Sequence, residues 1–140
     1  MVRSSHPTVQ AASAATAKAP AGAVLIVDDN QAVAKALAAL IVKAGFAAVS
    51  YHSGTDALAY ADASTPVAAV LDIHLPDLNG LVLARKLRDR FGDAVPIIIV
   101  SGDTSMETIK TLPHVGATYF FPKPLNPAAL VTRLREILTR

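Results

Sequence analysis

Three carboxylates, a hydroxyl and an amine each close a short apolar run: Asp28 and Asp29 after residues 24–27, Asp72 after 67–71, Ser101 after 97–100, and Lys123 after 119–122. If those runs are neighbouring buried strands, the five groups meet at one edge of a sheet, where open α/β sheets bind their ligands. Asp28, Asp29 and Asp72 brought together repel one another and need a proton or a divalent cation to stay compact at neutral pH. Magnesium suits such a set, because it takes oxygen ligands and binds through one or two carboxylates and phosphate oxygens while keeping several waters. A phosphoryl group beside the ion would offer acceptor oxygens to the Lys123 ammonium and the Ser101 hydroxyl. A carboxylate can itself attack phosphorus, so Asp72 is the candidate acceptor and an aspartyl phosphate the product.

Bringing these groups together requires a particular alternation of elements. Unbroken apolar runs bounded by turn formers read as strands buried on both faces of a parallel sheet, and one more strand is read at 46–51. Between the strands lie helical patterns. The first spans 31–44, with Val33, Leu37, Leu40 and Ile41 at helical spacing, Asn30 as the cap and Gly45 as the stop. A short Ala-rich helix follows at 55–63, and a third at 80–91 turns Leu81, Leu83, Ala84 and Leu87 inward. The fourth, at 104–112, is confined by Pro113 and Gly116. Asn126 followed by Pro127 starts the last, which puts Leu130, Val131, Leu134, Ile137 and Leu138 on one face. Five strands alternating with five helices predict an α/β fold: a right-handed, doubly wound, five-stranded parallel sheet with helices on both faces.

Composition narrows the rest. A chain of 140 residues, 52% hydrophobic and 17% charged, can bury one ordinary core and is too short for two typical domains. The absence of cysteine excludes disulfides and thiolate metal sites and is compatible with a reducing compartment. No apolar stretch approaches the roughly 20 residues that span a bilayer, so no membrane association is expected. The net charge of +2 is small, and Arg85, Lys86, Arg88 and Arg90 read as a solvated helix face, so no direct nucleic-acid contact is expected. Residues 1–22, rich in Ala, Ser, Thr and Pro and without an acidic residue, are expected to be a disordered leader to a folded domain at 23–140. His6, His52 and His114 have no partner at i+4 and are read as surface residues.

The chain resembles the receiver domains of two-component response regulators, and is similar in size to single-domain chemotaxis receivers. The residues that carry the likeness are Asp28, Asp29 and Asn30 after Val27, the stretch from Leu71 and Asp72 through Pro76 and Asn79 to Gly80, the Val100, Ser101, Gly102 step, and Lys123, Pro124 and Leu125. Several motifs at matching separations make the likeness specific, and it extends over roughly residues 23–140. It implies a flavodoxin-like strand order of 2-1-3-4-5 and phosphorylation of Asp72 by a histidine kinase or a histidine phosphotransfer protein. It also implies magnesium held by Asp29 directly, by Asp28 directly or through water, by Asp72, and by the backbone carbonyl of His74. Ser101 and Phe120 would be the switch residues, His74 and Asp103 would modulate water access to the acyl phosphate, and Pro124 would follow a cis peptide bond. The fourth helix, fifth strand and fifth helix would present the signal to a downstream protein, with a phosphorylation-dependent homodimer as one form of output. On this likeness the chain is a cytoplasmic, stoichiometric phosphoacceptor that catalyses its own phosphorylation and dephosphorylation, not a turnover enzyme.

Departures from the family pattern are few. Ser stands at 101 where Thr is more frequent, Phe stands at 120 where Tyr is common, and Pro122 directly precedes the lysine; none removes a required functional group. Pro113 is expected to shorten the fourth helix. Each site residue also has a plainer use: Asp28 or Asp29 as a helix cap, Asp72 as a turn starter, and Ser101 as a strand-end hydroxyl bonded to backbone. Two other functions stay open at this point. One is a pseudo-receiver that docks or dimerises without being phosphorylated; the other is a small doubly wound phosphatase, although those enzymes typically want a second Asp where this chain has His74.

Overall fold

In the computed structural model, which describes residues 8–10 and 22–139, the aliphatic runs lie side by side as strands. In chain order the strands are β1 (Thr8–Gln10), β2 (Val24–Val27), β3 (Ala48–Tyr51), β4 (Ala68–Asp72), β5 (Ile97–Ser101) and β6 (Tyr119–Pro122). The helices are α1 (Gln31–Lys43), α2 (Gly54–Ala63), α3 (Gly80–Phe91), α4 (Met106–Thr111) and α5 (Pro127–Leu138). Strands β2 to β6 run parallel, and the sheet order is β1-β3-β2-β4-β5-β6. Counted among the parallel strands alone, that is the 2-1-3-4-5 order.

β1 is a difference from expectation. It pairs antiparallel with the outer edge of β3, Thr8 opposite Ser50 and Gln10 opposite Ala48, inside the stretch read as a disordered leader. Residues 1–7 and 11–21 of that stretch, His6 among them, lie outside the described residues.

Side chains alternate across each strand, and the alternation builds two cores. Leu25, Val27, Leu71, Ile97 and Ile99 pack with Leu83 and Leu87 of α3 and Tyr60 of α2. Val24, Ile26, Val70 and Ile98 face the other way, onto Leu37 and Ile41 of α1 and Leu130 and Leu134 of α5. Each fully buried Leu or Ile here contributes about 1.5–3 kcal/mol relative to an exposed one. Three strands, β2, β4 and β5, are therefore apolar on both faces, which is why their sequences do not alternate. α1 buries less than its spacing suggests: Val33 and Leu40 are both 39% exposed, and Ala34 and Ala38 take the inward positions beside Leu37 and Ile41.

Polar caps set where the helices begin, and hence how far each strand-end loop reaches. Asn30 Oδ1 accepts from Val33 N at 3.1 Å, so Asn30 caps α1 and leaves Asp28 and Asp29 to other work. Asn79 caps α3 through Leu81 N at 2.7 Å, Ser105 caps α4 through Thr108 N at 3.2 Å, and Asn126 caps α5 through Ala128 N at 3.0 Å. α4 ends early, as Pro113 requires, passing into a 3-10 turn at Leu112–Val115 that Gly116 closes with a left-handed φ of 77°.

The basic residues of α3 are not simply solvated. Arg88 donates to the carbonyls of Gly92 and Gly116, Arg85 donates to the His114 carbonyl at 2.9 Å, and Arg90 donates to the Ala61 carbonyl at 2.9 Å and pairs with Asp62. Three of the four cations thus tie α3 to the neighbouring loops, and long side chains that reach main-chain carbonyls have little freedom left for a polyanion.

Gly80 shows how closely the loop after β4 is folded back. Its N–H donates to the Ile73 carbonyl at 2.7 Å, and a Cβ there would lie 1.9 Å from the Asp72 carbonyl oxygen. Backbone cannot yield as a side chain can, so Gly80→Ala is expected to destabilise the domain by about 3 kcal/mol, read as a lower denaturant midpoint at unchanged slope.

Candidate functional site

Parallel pairing brings the carboxyl ends of β2, β4, β5 and β6 level, and the first polar residue after each apolar run lands in one place. Asp28 leaves β2 with its N–H on the Tyr51 carbonyl at 3.1 Å, and its Oδ1 accepts from Asn30 N at 2.9 Å. Asp72 ends β4, buried except for 6% of its surface, and its Oδ1 lies 3.4 Å from the His74 N–H. Lys123 is fixed by its own N–H on the Ser101 carbonyl at 3.0 Å, and its Nζ reaches 3.3 Å from both Asp28 Oδ2 and Asp72 Oδ2. The Lys123–Pro124 peptide is cis.

The strand ends thus bring Asp28, Asp29, Asp72 and Lys123 to one site, with Ser101 at the end of the neighbouring strand β5. Asp28, Asp29 and Asp72 each offer a carboxylate oxygen within 4.8 Å of the others, Asp28 and Asp72 buried and Asp29 exposed. All three donors are hard oxygens, a set that suits a small divalent cation and no soft metal. Ser101 is fully buried at the end of β5, and its Oγ accepts from Asp103 N at 3.0 Å. Phe120 is half-buried in β6 and packs against the α2–α3 core. The His74 side chain is exposed just beyond Asp72.

Charge and burial pull against each other here. Burial pushes the Asp28 carboxyl up, the Asn30 N–H and the Lys123 ammonium hold it down, and the net displacement is upward. For Lys123, burial alone would lower the ammonium, but the Asp28 and Asp72 carboxylates outweigh it and leave it above its ordinary value. Asp103 sits below the usual carboxylate range, first because the Thr108 hydroxyl donates to it and then because Ser105 N does.

Two contacts and a cleft escaped the sequence reading. His52, read as a surface residue, is half-buried with Nδ1 3.2 Å from the Asp28 carbonyl oxygen, so it braces the backbone of the acidic pair. Asp77 accepts from the N–H groups of Gly54 and Thr55 at 2.9 Å each, which joins the loop after β4 to the start of α2. A cleft of about 350 Å³ opens beside Asp28, Asp72 and Lys123, walled by Val33, Leu37 and Leu40 of α1 and by Pro124 and Leu125. Only Val33 and Leu40 carried a signal, as apolar residues at the margin of a helical stripe.

Residues 24–135 match the family model described as the response regulator receiver domain. This chain belongs to that family. Among its relatives, the response regulator MprA of Mycobacterium avium is 35% identical over 118 residues, which is 84% of this chain and 51% of that protein. The receiver domain thus spans about half the length of the curated relatives it matches. Among solved structures, a CheY-like response regulator receiver domain protein from Methanospirillum hungatei JF-1 superposes with a TM-score of 0.79 at 27% identity, covering 86% of this chain and 95% of that one. A response regulator protein from Burkholderia pseudomallei, solved with a phosphorylated aspartic acid, calcium ion and citrate, gives a TM-score of 0.72 at 25% identity, covering 82% and 71%. Membership displaces the small-phosphatase alternative. Among the described residues, no helix of the receiver domain is long and apolar enough to cross a membrane.

The sign of the Asp28 displacement fixes a stability test. A carboxyl raised on folding contributes stability that is complete below its unfolded value and is lost as pH rises through the folded one. Asp28→Asn, which abolishes that loss, is expected to melt above the wild-type receiver domain near neutral pH without divalent cations, and to converge with it in acid. Thermal melts in a chelating buffer from pH 3 to 7 check this.

Proposed function

We propose that the receiver domain accepts a phosphoryl group on Asp72 from a phosphohistidine of a histidine kinase or histidine phosphotransfer protein. The observation that carries this reading is the Lys123 ammonium 3.3 Å from both Asp28 and Asp72, with Asp29 completing a hard-oxygen set around the buried acceptor. The phosphorylated aspartate and calcium ion in the Burkholderia pseudomallei relative support the same chemistry here. Nothing in the pocket favours a pseudo-receiver.

In the transfer, a carboxylate oxygen of Asp72 attacks phosphorus in line with the phosphohistidine nitrogen. The new P–O bond forms as the P–N bond breaks, and the imidazole leaves with the bonding pair and takes up a proton. Lys123 neutralises charge on the phosphoryl oxygens, at a position already set by its backbone bond to Ser101. Magnesium, held by Asp28, Asp29, Asp72 and the His74 carbonyl, supplies further charge neutralisation when bound. The apolar rim formed by Val33 and Leu40 gives the donor a surface to dock on while its phosphohistidine reaches Asp72. His74 and Asp103 flank the acyl phosphate and govern the approach of water in dephosphorylation.

Output follows from Ser101 turning toward the phosphoryl oxygens and Phe120 changing rotamer behind it. The surface of α4, β6 and α5 then presents a second packing to a downstream protein, or to another copy in a phosphorylation-dependent homodimer. The domain acts as a cytoplasmic phosphoacceptor that catalyses its own loading and hydrolysis.

Incubation with magnesium and acetyl phosphate is expected to add one hydroxylamine-labile phosphoryl mass, absent in Asp72→Asn and suppressed by chelation. Lys123→Met is expected to slow the gain on the order of a hundredfold. An equal gain in Asp72→Asn overturns the assignment.

A further inference from the structure

We propose that Thr108 and Asp103 form a latch that ties the first turn of α4 to the Ser101 hydroxyl, making Thr108 a positioning residue for the switch. The proposal rests on the reading of Ser101 as the group that moves when Asp72 is phosphorylated, and adds the route by which that movement reaches α4.

The hydrogen bonds form a closed chain. Ser101 Oγ accepts from Asp103 N at 3.0 Å. The Asp103 carboxylate then spends both oxygens on α4: Oδ1 accepts from Ser105 N at 3.0 Å and Oδ2 accepts from Thr108 Oγ1 at 2.7 Å. Thr108 N returns to Ser105 Oγ at 3.2 Å. Thr108 is the one residue of α4 buried to within 9% of full cover, and its hydroxyl rather than a methyl faces the preceding loop. A position needed only for packing is served by Val, whose branched shape is the same and which has no hydroxyl to satisfy.

In the proposed switch the Ser101 side chain rotates toward Asp72, which carries its Oγ away from Asp103 N. Turning leaves Asp103 N without its partner, loosens the loop at 102–104 and draws the carboxylate off Thr108. The aromatic at 120 cannot supply an alternative polar link, because Phe carries no hydroxyl. α4 is only six residues long and has little hydrogen-bonding of its own to resist release.

The test is amide hydrogen exchange of α4 in the full chain, with Thr108→Val, Thr108→Ala and Thr108→Ser, before and after phosphorylation by acetyl phosphate. In the unphosphorylated state, Val and Ala are expected to exchange roughly fivefold faster across 105–111, the size of one net hydrogen bond, while Ser stays at the wild-type rate. Phosphorylation should accelerate α4 exchange in the wild type and in Ser but change it little in Val and Ala, where the latch is already open. Equal acceleration by phosphorylation in all four proteins assigns Thr108 a purely structural role and overturns the proposal, as does Ser behaving like Ala. If Val does not fold, the Ala and Ser pair decides. If the wild type gains no phosphoryl mass, the functional reading of Asp72 fails separately, and the latch stands or falls on the unphosphorylated comparison of Ala with Ser.

Discussion

Mutual repulsion among Asp28, Asp29 and Asp72 is the constraint around which the rest is arranged. Two of these carboxylates are buried and all three lie within 4.8 Å, a grouping that costs several kcal/mol unless positive charge enters it. Lys123 supplies part of that charge from 51 residues beyond Asp72, and can do so only because β5 and β6 pair in the register that sets Pro122 against Ser101. Sheet register is therefore an electrostatic requirement as well as a packing one. Slipping β6 by one residue would turn its side chains to the opposite face and remove the ammonium from the pocket.

The same compromise says which ligands such a site would favour. An acidic cluster with one fixed cation is under-neutralised, and it gains most from a species that brings positive charge or spreads negative charge over oxygens that Lys123 can reach. Three of the strands that bear the cluster, β2, β4 and β5, are buried on both faces, while β6 is half-exposed and the segments around the cluster are loops. On the proposed function, such support would let a local charge change act on the loops without disturbing the core.

Much of this was legible in the sequence, because buried parallel strands are written as unbroken aliphatic runs and the polar residue that ends each run marks the ligand edge. Asp28, Asp29, Asp72, Ser101 and Lys123 were readable from that pattern, and Pro113 correctly foretold the short α4. What was hidden has a common cause. β1 is three residues of mixed polarity held by backbone pairing to β3, and backbone pairing leaves no periodic trace. Asp77 caps a helix that begins 23 residues earlier, and His52 meets the Asp28 carbonyl across 24, so neither contact shows in local spacing. Arg85, Arg88 and Arg90 look like a solvated stripe, because composition cannot tell a cation in water from one spent on a distant carbonyl. Helical periodicity found the α1 face but not its width, which is why Val33 and Leu40 emerged as a rim.

The arginine ties on α3 carry a mechanical consequence. Arg85 and Arg88 grip the His114 and Gly116 carbonyls, at the far end of the segment that begins with α4. A short rod moored at its carboxyl end and freed at its amino end swings about the mooring and does not slide along its length. Under the proposed switch, what α4 would show to another protein is graded, with displacement largest near Met106 and vanishing toward Gly116.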